Sequence, residues 1–311
     1  MKKKVFVLTM ALALASLNII PVDAQKLFVG TYNIRNNDND DAIEGNGWNN
    51  RVGVICGQVN FEDPDIFGTQ EVLHGQMLDL KAGLDGYDYI GVGRDDGKEA
   101  GEYECIWYKT DRIELMDKGH FWLSETPDKP GLGWDAACVR ICTWGKFRQK
   151  DTGFTFFFFN LHMDHVGIVA RREAAKLAVK KISTIAGKAP AILTGDFNVD
   201  QKDEIYRTFV DSGILKDSYV AAKQKFAENG TYNSYDPNLK TDSRIDHIFV
   251  SPLFSVDHYA IMTNGYWTEK ADGKTTKGKN APQEIDLKQY QQRTASDHYP
   301  VWAKISFQFA K

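Results

Sequence analysis

Apolar and polar positions alternate along much of the chain. Near the C-terminus Val301, Ala303, Ile305 and Phe307 share one parity and Lys304, Ser306 and Gln308 the other, so a strand there turns one side to a core and the other outward. Similar runs rich in β-branched and aromatic residues predict strands at 27–34, 66–69, 104–109, 114–123, 138–148, 155–162, 191–194, 245–250, 256–262 and 301–309. Elsewhere the period changes to that of a helix. Residues 49–61 place Val52, Ile55 and Val59 in one stripe, and 74–84 do the same with Met77, Leu80 and Leu84. A longer helix is expected over 167–186, with Ala175, Ala178, Ile182 and Ile185 on one side, and a fourth over 203–213, stopped by Gly213.

Many strands in succession, with helices set between pairs of them, imply sheets packed face to face with helices outside. Neither repeats nor a low-complexity linker divides the chain, so 25–311 reads as a single α/β domain. Residues 1–24 read differently. Lys2, Lys3 and Lys4 precede an apolar run too short to span a bilayer, and Val22 and Ala24 supply small positions for cleavage. The expectation is an export signal removed near Ala24, a periplasmic or extracellular product, no stable membrane insertion, and a monomer.

Charge narrows the partners. The formal net charge is −4, and loss of the three signal lysines makes the mature chain more acidic still. Such a surface does not attract polyanions over long range, so nucleic-acid binding would require a local basic groove. The lysine-bearing segment 269–283 could be such a rim, although a solvated loop explains it more simply. The polar segment 36–48 lacks EF-hand spacing and reads as a loop beside the site. Cys56, Cys105, Cys138 and Cys142 fit no zinc spacing and read as small core residues, with pairing left open.

Acids, amides and histidines recur where the apolar strands stop. "LFVGTYNIR" carries Asn33, "GTQEV" Glu71, "FFFFNLHMDH" Asn160, His162 and Asp164, "GDFN" Asp196 and Asn198, "RIDHIFVS" Asp246, and "SDHYPV" Asp297 and His298. Strand ends are where layered α/β proteins build ligand sites. The donors are mainly oxygens, which suits a hard cation such as Mg2+, Mn2+ or Ca2+ better than zinc. His298 would need an acceptor to set its tautomer, and Asp246 is the plausible one.

Taken in this order, the six motifs resemble the endonuclease/exonuclease/phosphatase superfamily, which includes deoxyribonuclease I, exonuclease III, inositol polyphosphate 5-phosphatases and neutral sphingomyelinases. The resemblance runs from about Leu27 to Phe307. It implies a four-layered α/β sandwich, two mixed sheets flanked by helices, that hydrolyses phosphate esters with a divalent metal, usually Mg2+. It further implies Glu71, Asn33 and Asp297 as metal ligands, with Asp196 and Asn198 orienting water or a second metal. His298 resembles the catalytic histidine, Asp246 its orienting acid and His162 a phosphate contact. Asn160, Glu102, Asp164 and Arg171 are expected on the substrate side.

Arg35 stands where the apurinic branch of the family carries an acid, which argues against abasic-site repair. A phosphodiesterase or nuclease is favoured over a phosphatase or phospholipase C-type hydrolase on sugar, inositol or lipid phosphates. A non-catalytic binding protein of this fold would be expected to lose one of Glu71, Asp196, Asp246, Asp297 or His298, and all are present.

Overall fold

The computed structural model describes residues 25–270 and 273–307. The expected export signal over 1–24 lies outside them, as does the end of the last expected strand. Two large sheets form the centre. The seven-stranded sheet runs, edge to edge, Ala222–Phe226, Phe254–Ile261, Val301–Phe307, Gln25–Asn33, Ile66–Val72, Tyr103–Lys109 and Tyr87–Ile90. The six-stranded sheet runs Ile113–Trp122, Ile141–Gln149, Thr155–His162, Ala191–Asp196, Asp246–Val250 and Lys216–Asp217. Each mixes parallel and antiparallel neighbours: Gln25–Asn33 lies parallel to Ile66–Val72 and antiparallel to Val301–Phe307.

Three apolar cores separate four layers. Leu27, Val29, Ile106, Phe156, Phe158, Ile192, Ile248, Val301 and Ile305 fill the space between the sheets. Tyr32, Phe67, Trp107 and Trp302 meet Ile55, Val59, Met77 and Leu80 of the helices Trp48–Glu62 and His74–Gly83 on one outer face. Phe159, Leu161, Leu193 and Phe249 meet Ala175, Ala178, Ile182 and Phe209 of Ile168–Ala186 and Glu204–Val210 on the other. The four-layered sandwich expected from the motifs is present, and Val301, Ala303, Ile305 and Phe307 all face the central core as their parity predicts.

Some local expectations change. Arg51, not Val52, is fully buried in the first long helix, and Ile185 stays half-buried while Ala186 is buried. The 269–283 segment is not a plain loop: Tyr266–Glu269 pairs with Tyr290–Arg293, and Thr275–Lys277 with Asp286–Lys288. All four cysteines are free thiols. Among the described residues no helix is long and apolar enough to cross a membrane.

Candidate active site

Strand parity explains how the site is assembled. The row Leu27, Val29 of the first strand faces the central core, and two steps at a time it reaches Thr31 and Asn33. Phe156 and Phe158 lead in the same way to Asn160 and His162, Ile192 to Thr194 and Asp196, and Val250 and Ile248 back to Asp246. Each inward row is apolar between the sheets and turns polar at one end. Those ends meet, because Asp196 lies opposite His162 on one neighbour and opposite Asp246 on the other.

Three non-glycine residues here adopt left-handed backbone: Arg35 (φ 57°), Glu71 (φ 63°) and Asn198 (φ 49°). Such backbone costs energy and persists where surrounding structure imposes it. For Glu71 the cause is visible. The register between Ile66–Val72 and Tyr103–Lys109 slips between Thr69 and Val72, and the irregularity re-aims the carboxylate. Arg51 supports the adjoining loop from below. Its guanidinium is fully buried and donates to the carbonyls of Ile34, Arg35, Asn36, Asn46 and Ala295, satisfying backbone acceptors that a loop would otherwise leave unpaired.

The cleft above is a cavity of about 470 Å³ that Glu71, Asp196, Asn198, His162, Asp297, His298 and Glu102 all line. Asn33 Nδ2 donates to Glu71 Oε1 at 2.9 Å and to Asp196 Oδ2 at 3.0 Å, while its oxygen accepts the Arg35 N–H. In this arrangement Asn33 fastens two carboxylates together and does not present an oxygen to a cation. Glu71 Oε2 accepts the Asn36 N–H at 3.1 Å and lies 3.9 Å from the Arg35 guanidinium. Asp246 Oδ2 lies 2.8 Å from His298 Nδ1, and the other ring nitrogen of His298 is 3.7 Å from Asp196 Oδ2. Asn198 Nδ2 reaches His162 Nε2 at 3.0 Å and the Met163 carbonyl at 2.9 Å.

Burial of several carboxylates together decides their protonation. Asp196 is pushed up to about 7 by burial and by the neighbouring Asp246 charge. Burial and the Glu71 charge also raise Asp297, against His298 and Arg35. Glu71 moves the other way, because the Asn33 bond, the His298 charge, the Asn36 N–H and Arg35 outweigh burial. His298 is held well above the ordinary histidine value: burial opposes this, and Asp246 and Asp196 prevail. A cluster of buried carboxylates that cannot all ionise is the setting in which a divalent cation is favoured. Oxygen atoms of Glu71 and Asp196 lie within 4.8 Å of each other and of a His162 nitrogen, so the donors are close enough to share one ion.

Three residues expected on the substrate side do not line the cleft. Asn160 is fully buried between the sheets. Its NH2 donates to the Thr69 and Cys105 carbonyls, both at 2.9 Å, and its oxygen accepts from Gln70 and Thr194 at 2.6 and 3.2 Å. Every hydrogen-bonding position of the amide is used, so it clamps one sheet to the other. The clamp also explains Gly68, where an added Cβ would sit 2.3 Å from Asn160 Oδ1. Asp164 is buried and accepts from the Val166, Gly167, Ala137 and Cys138 N–H groups. Burial opposes ionisation of Asp164, yet those N–H donors and Arg140 bring it down to about 2. Arg171 donates to the Asp164 carbonyl and fastens the same loop.

Arg94, Arg140 and Tyr232, which carried no sequence signal, line the cavity with Arg35 and with His165 of "NLHMDH", to which the sequence assigned no role. Arg94 is ion-paired with Glu102, Arg140 with Asp164, and Tyr232 sets its ring edge-on against His298 at 5.2 Å. Glu104, two residues beyond Glu102, is completely buried with neither oxygen hydrogen-bonded, and burial pushes it up to about 8. These residues come from strands and loops whose local sequences read as ordinary surface or core. Glu104 had one available signal, an acid directly before the apolar run "CIWY" at the start of an expected strand.

Comparison with known proteins places the arrangement. A profile described as "Endonuclease/Exonuclease/phosphatase family" matches residues 30–298. A solved Bacteroides thetaiotaomicron protein of that family is 49% identical, with a TM-score of 0.86, over 92% of this chain and 100% of that one. The Bacteroides thetaiotaomicron mannosyl-6-phosphatase is also 49% identical, with a TM-score of 0.84, over 90% of this chain and 100% of that one. A Bacteroides vulgatus endonuclease/exonuclease/phosphatase protein is 38% identical, with a TM-score of 0.78, over 91% and 100%.

Proposed function

The chain belongs to the endonuclease/exonuclease/phosphatase family, and we propose that it is an exported, monomeric phosphatase that removes the phosphate monoester from a phosphorylated sugar with the help of Mg2+. The observation that carries this reading is the cleft itself. At about 470 Å³ it has the size of a small-ligand pocket, and Arg35, Arg94 and Arg140 in its wall, each shared with an acid (Asp41, Glu102 and Asp164), bring guanidinium groups that suit the two charges of a terminal phosphate. The 49% identity with a mannosyl-6-phosphatase over nine-tenths of this chain supports the same choice. This reverses the order favoured by the motifs alone, in which a phosphodiester came first.

Glu71, Asp196 and Asp297 would hold the cation, with Asn33 keeping two of these carboxylates in register. When bound, the cation would neutralise the crowded carboxylates and draw charge from the phosphate oxygens. The protein's own groups divide the remaining work. His298, oriented by Asp246, sits across from Asp196, so the two can hold a water and accept its proton. Asn198 and His162, hydrogen-bonded to each other at 3.0 Å on the opposite wall, would contact a non-bridging oxygen by exchanging that bond for one to the substrate. Arg35 lies on the Glu71 side of the cleft.

A panel with Mg2+ tests the reading: mannose 6-phosphate, glucose 6-phosphate, inositol phosphates, bis-p-nitrophenyl phosphate and plasmid DNA. The expected result is monoester turnover at least about 100-fold above either diester, since each lost anchoring charge costs 1–3 kcal/mol. Faster cleavage of the diesters would overturn it and restore the nuclease reading.

A further inference from the structure

A second cavity, of about 660 Å³, is built partly from the chain segments that also wall the catalytic cleft. Two chain segments wall both spaces. Arg35 and Asn36 line the cleft and Glu44 and Asn46 the second cavity; Tyr232 lines the cleft and Tyr235 the second cavity. The outer wall is the ribbon formed by Tyr266–Glu269 and Tyr290–Arg293. Arg293 ties this ribbon to the cleft segment, donating to the Glu44 carbonyl at 3.1 Å and Asn46 Oδ1 at 2.8 Å, and within the ribbon it donates to Thr268 Oγ1 at 3.2 Å.

Pairing of Trp267 with Gln292, and of Glu269 with Tyr290, puts Trp267 and Tyr290 on the same face of the ribbon. Trp267 is 62% exposed and Tyr290 40%. Two large rings left in water beside a groove need an occupant that offers an apolar surface edged with polar groups. A pyranose offers this, with a face of C–H groups and a rim of hydroxyls. Gln292 and Asn238 line the groove with amides that both donate and accept. Charge disfavours a nucleic acid, which also stacks on aromatics. The charged side chains are Glu44, Asp236, Lys270 and Arg293, balanced in sign, and Arg293 is already committed. A phosphate backbone would find no net attraction there.

We propose that this groove is a glycan subsite: it binds neutral sugar residues that continue from the phosphorylated sugar in the cleft, so the substrate is the phosphorylated end of an oligosaccharide. The catalytic half of the inference rests on the sugar-phosphatase reading; the binding half does not.

The test uses the whole protein and the Trp267→Ala variant, whose exposed side chain supports no core. Mannotetraose, cellotetraose, a galactotetraose and an oligothymidylate are titrated calorimetrically, and kcat/KM is measured for 6-phosphorylated mannotetraose and for mannose 6-phosphate. The expected result is binding of a neutral tetrasaccharide that Trp267→Ala abolishes. With it should come about a tenfold rise in KM for the phosphotetrasaccharide, the size of one lost stacking contact, and no change for mannose 6-phosphate. Failure of all three tetrasaccharides to bind, preference for oligothymidylate, or equal losses on both phosphorylated substrates would each overturn the subsite. If both phosphorylated substrates are inert while tetrasaccharide binding is present and depends on Trp267, the sugar-phosphatase reading fails and the subsite stands.

Discussion

His298 and His162 approach the same carboxylate of Asp196, at 3.7 and 3.4 Å, from opposite walls of the cleft, yet they hold protons very differently. The far nitrogen of His298 rests against Asp246, and the carboxylates around it raise its proton affinity far above normal despite burial. The far nitrogen of His162 has no hydrogen-bond partner, and burial together with Arg140 and Arg94 holds its affinity well below normal. One residue type therefore does two jobs. His298 is built to exchange a proton, and neutral His162 to donate or accept a hydrogen bond without becoming charged.

The largest way to break this asymmetry is at its source. Asp246→Asn should lower kcat on the preferred phosphate ester by about 10³-fold, as expected when a histidine loses its orienting carboxylate. His162→Gln, which removes a contact and no proton exchange, should cost about 10²-fold. Steady-state kinetics with saturating Mg2+ would check both, and equal losses would mean that the two histidines are equivalent.

The next test concerns the clamp behind His162. Asn160→Ala strands the Gln70 amide and two backbone carbonyls inside the protein, at a cost of about 3 kcal/mol in urea unfolding. Activity per folded molecule should stay within about threefold, because the amide touches no substrate. A large loss of kcat with unchanged stability would return Asn160 to the substrate side.

Glu104, on the His162 wall, provides a pH test. Its ordinary value of 4.5 rises to about 8 on folding, so the native state keeps a proton that the unfolded chain releases. Stability from this group therefore falls as pH rises from about 4.5 to about 8 and is level beyond. Glu104→Gln mimics the protonated acid and escapes that loss. Its melting temperature should match the parent near pH 4.5 and exceed it by an increasing margin as pH rises, reaching roughly 8 °C at pH 8. A pH-independent difference would show that Glu104 stays ionised or finds a partner.

The smallest effect is on the His298 wall itself. In the cation-free protein the raised affinity keeps His298 protonated at neutral pH, which stabilises the fold below the unfolded value of 6.5 and is lost as pH climbs through the folded value. Mg2+ near Asp196 and Asp297 should expel up to about one proton at pH 7. Calorimetric titration in two buffers of different ionisation enthalpy measures this. The proton comes from His298 or from Asp196, itself raised to about 7, and no proton release would mean that neither holds one before the cation binds.

Much of the site was legible because its residues end apolar strands. A polar residue at the end of an inward row has the cleft or its immediate support to face: His162 and Asp196 line the cleft, and buried Asn33 and Asp246 hold the residues that do. The rule misled at Asn160, which shares the row but lies one step short of the end, where the opposite sheet still covers it. It also misled at Asp164 and Arg171, which follow the strand and are spent on holding their own loop. Arg51, Arg94 and Arg140 were invisible for a related reason: an arginine in a helix or loop reads as solvated until distant carbonyls and carboxylates are known to surround it.

The sequence by itself determined the layers, the inward parity of the strands and the set of oxygen and imidazole groups available for phosphate chemistry. These depend on periods of two and 3.6 residues and on neighbours in the chain. Only the tertiary structure decided which histidine carries the proton, which amide clamps the sheets, and which arginines wall the cleft. Each of those properties is set by groups far apart in sequence, acting through burial and short-range electrostatics that a linear pattern does not contain.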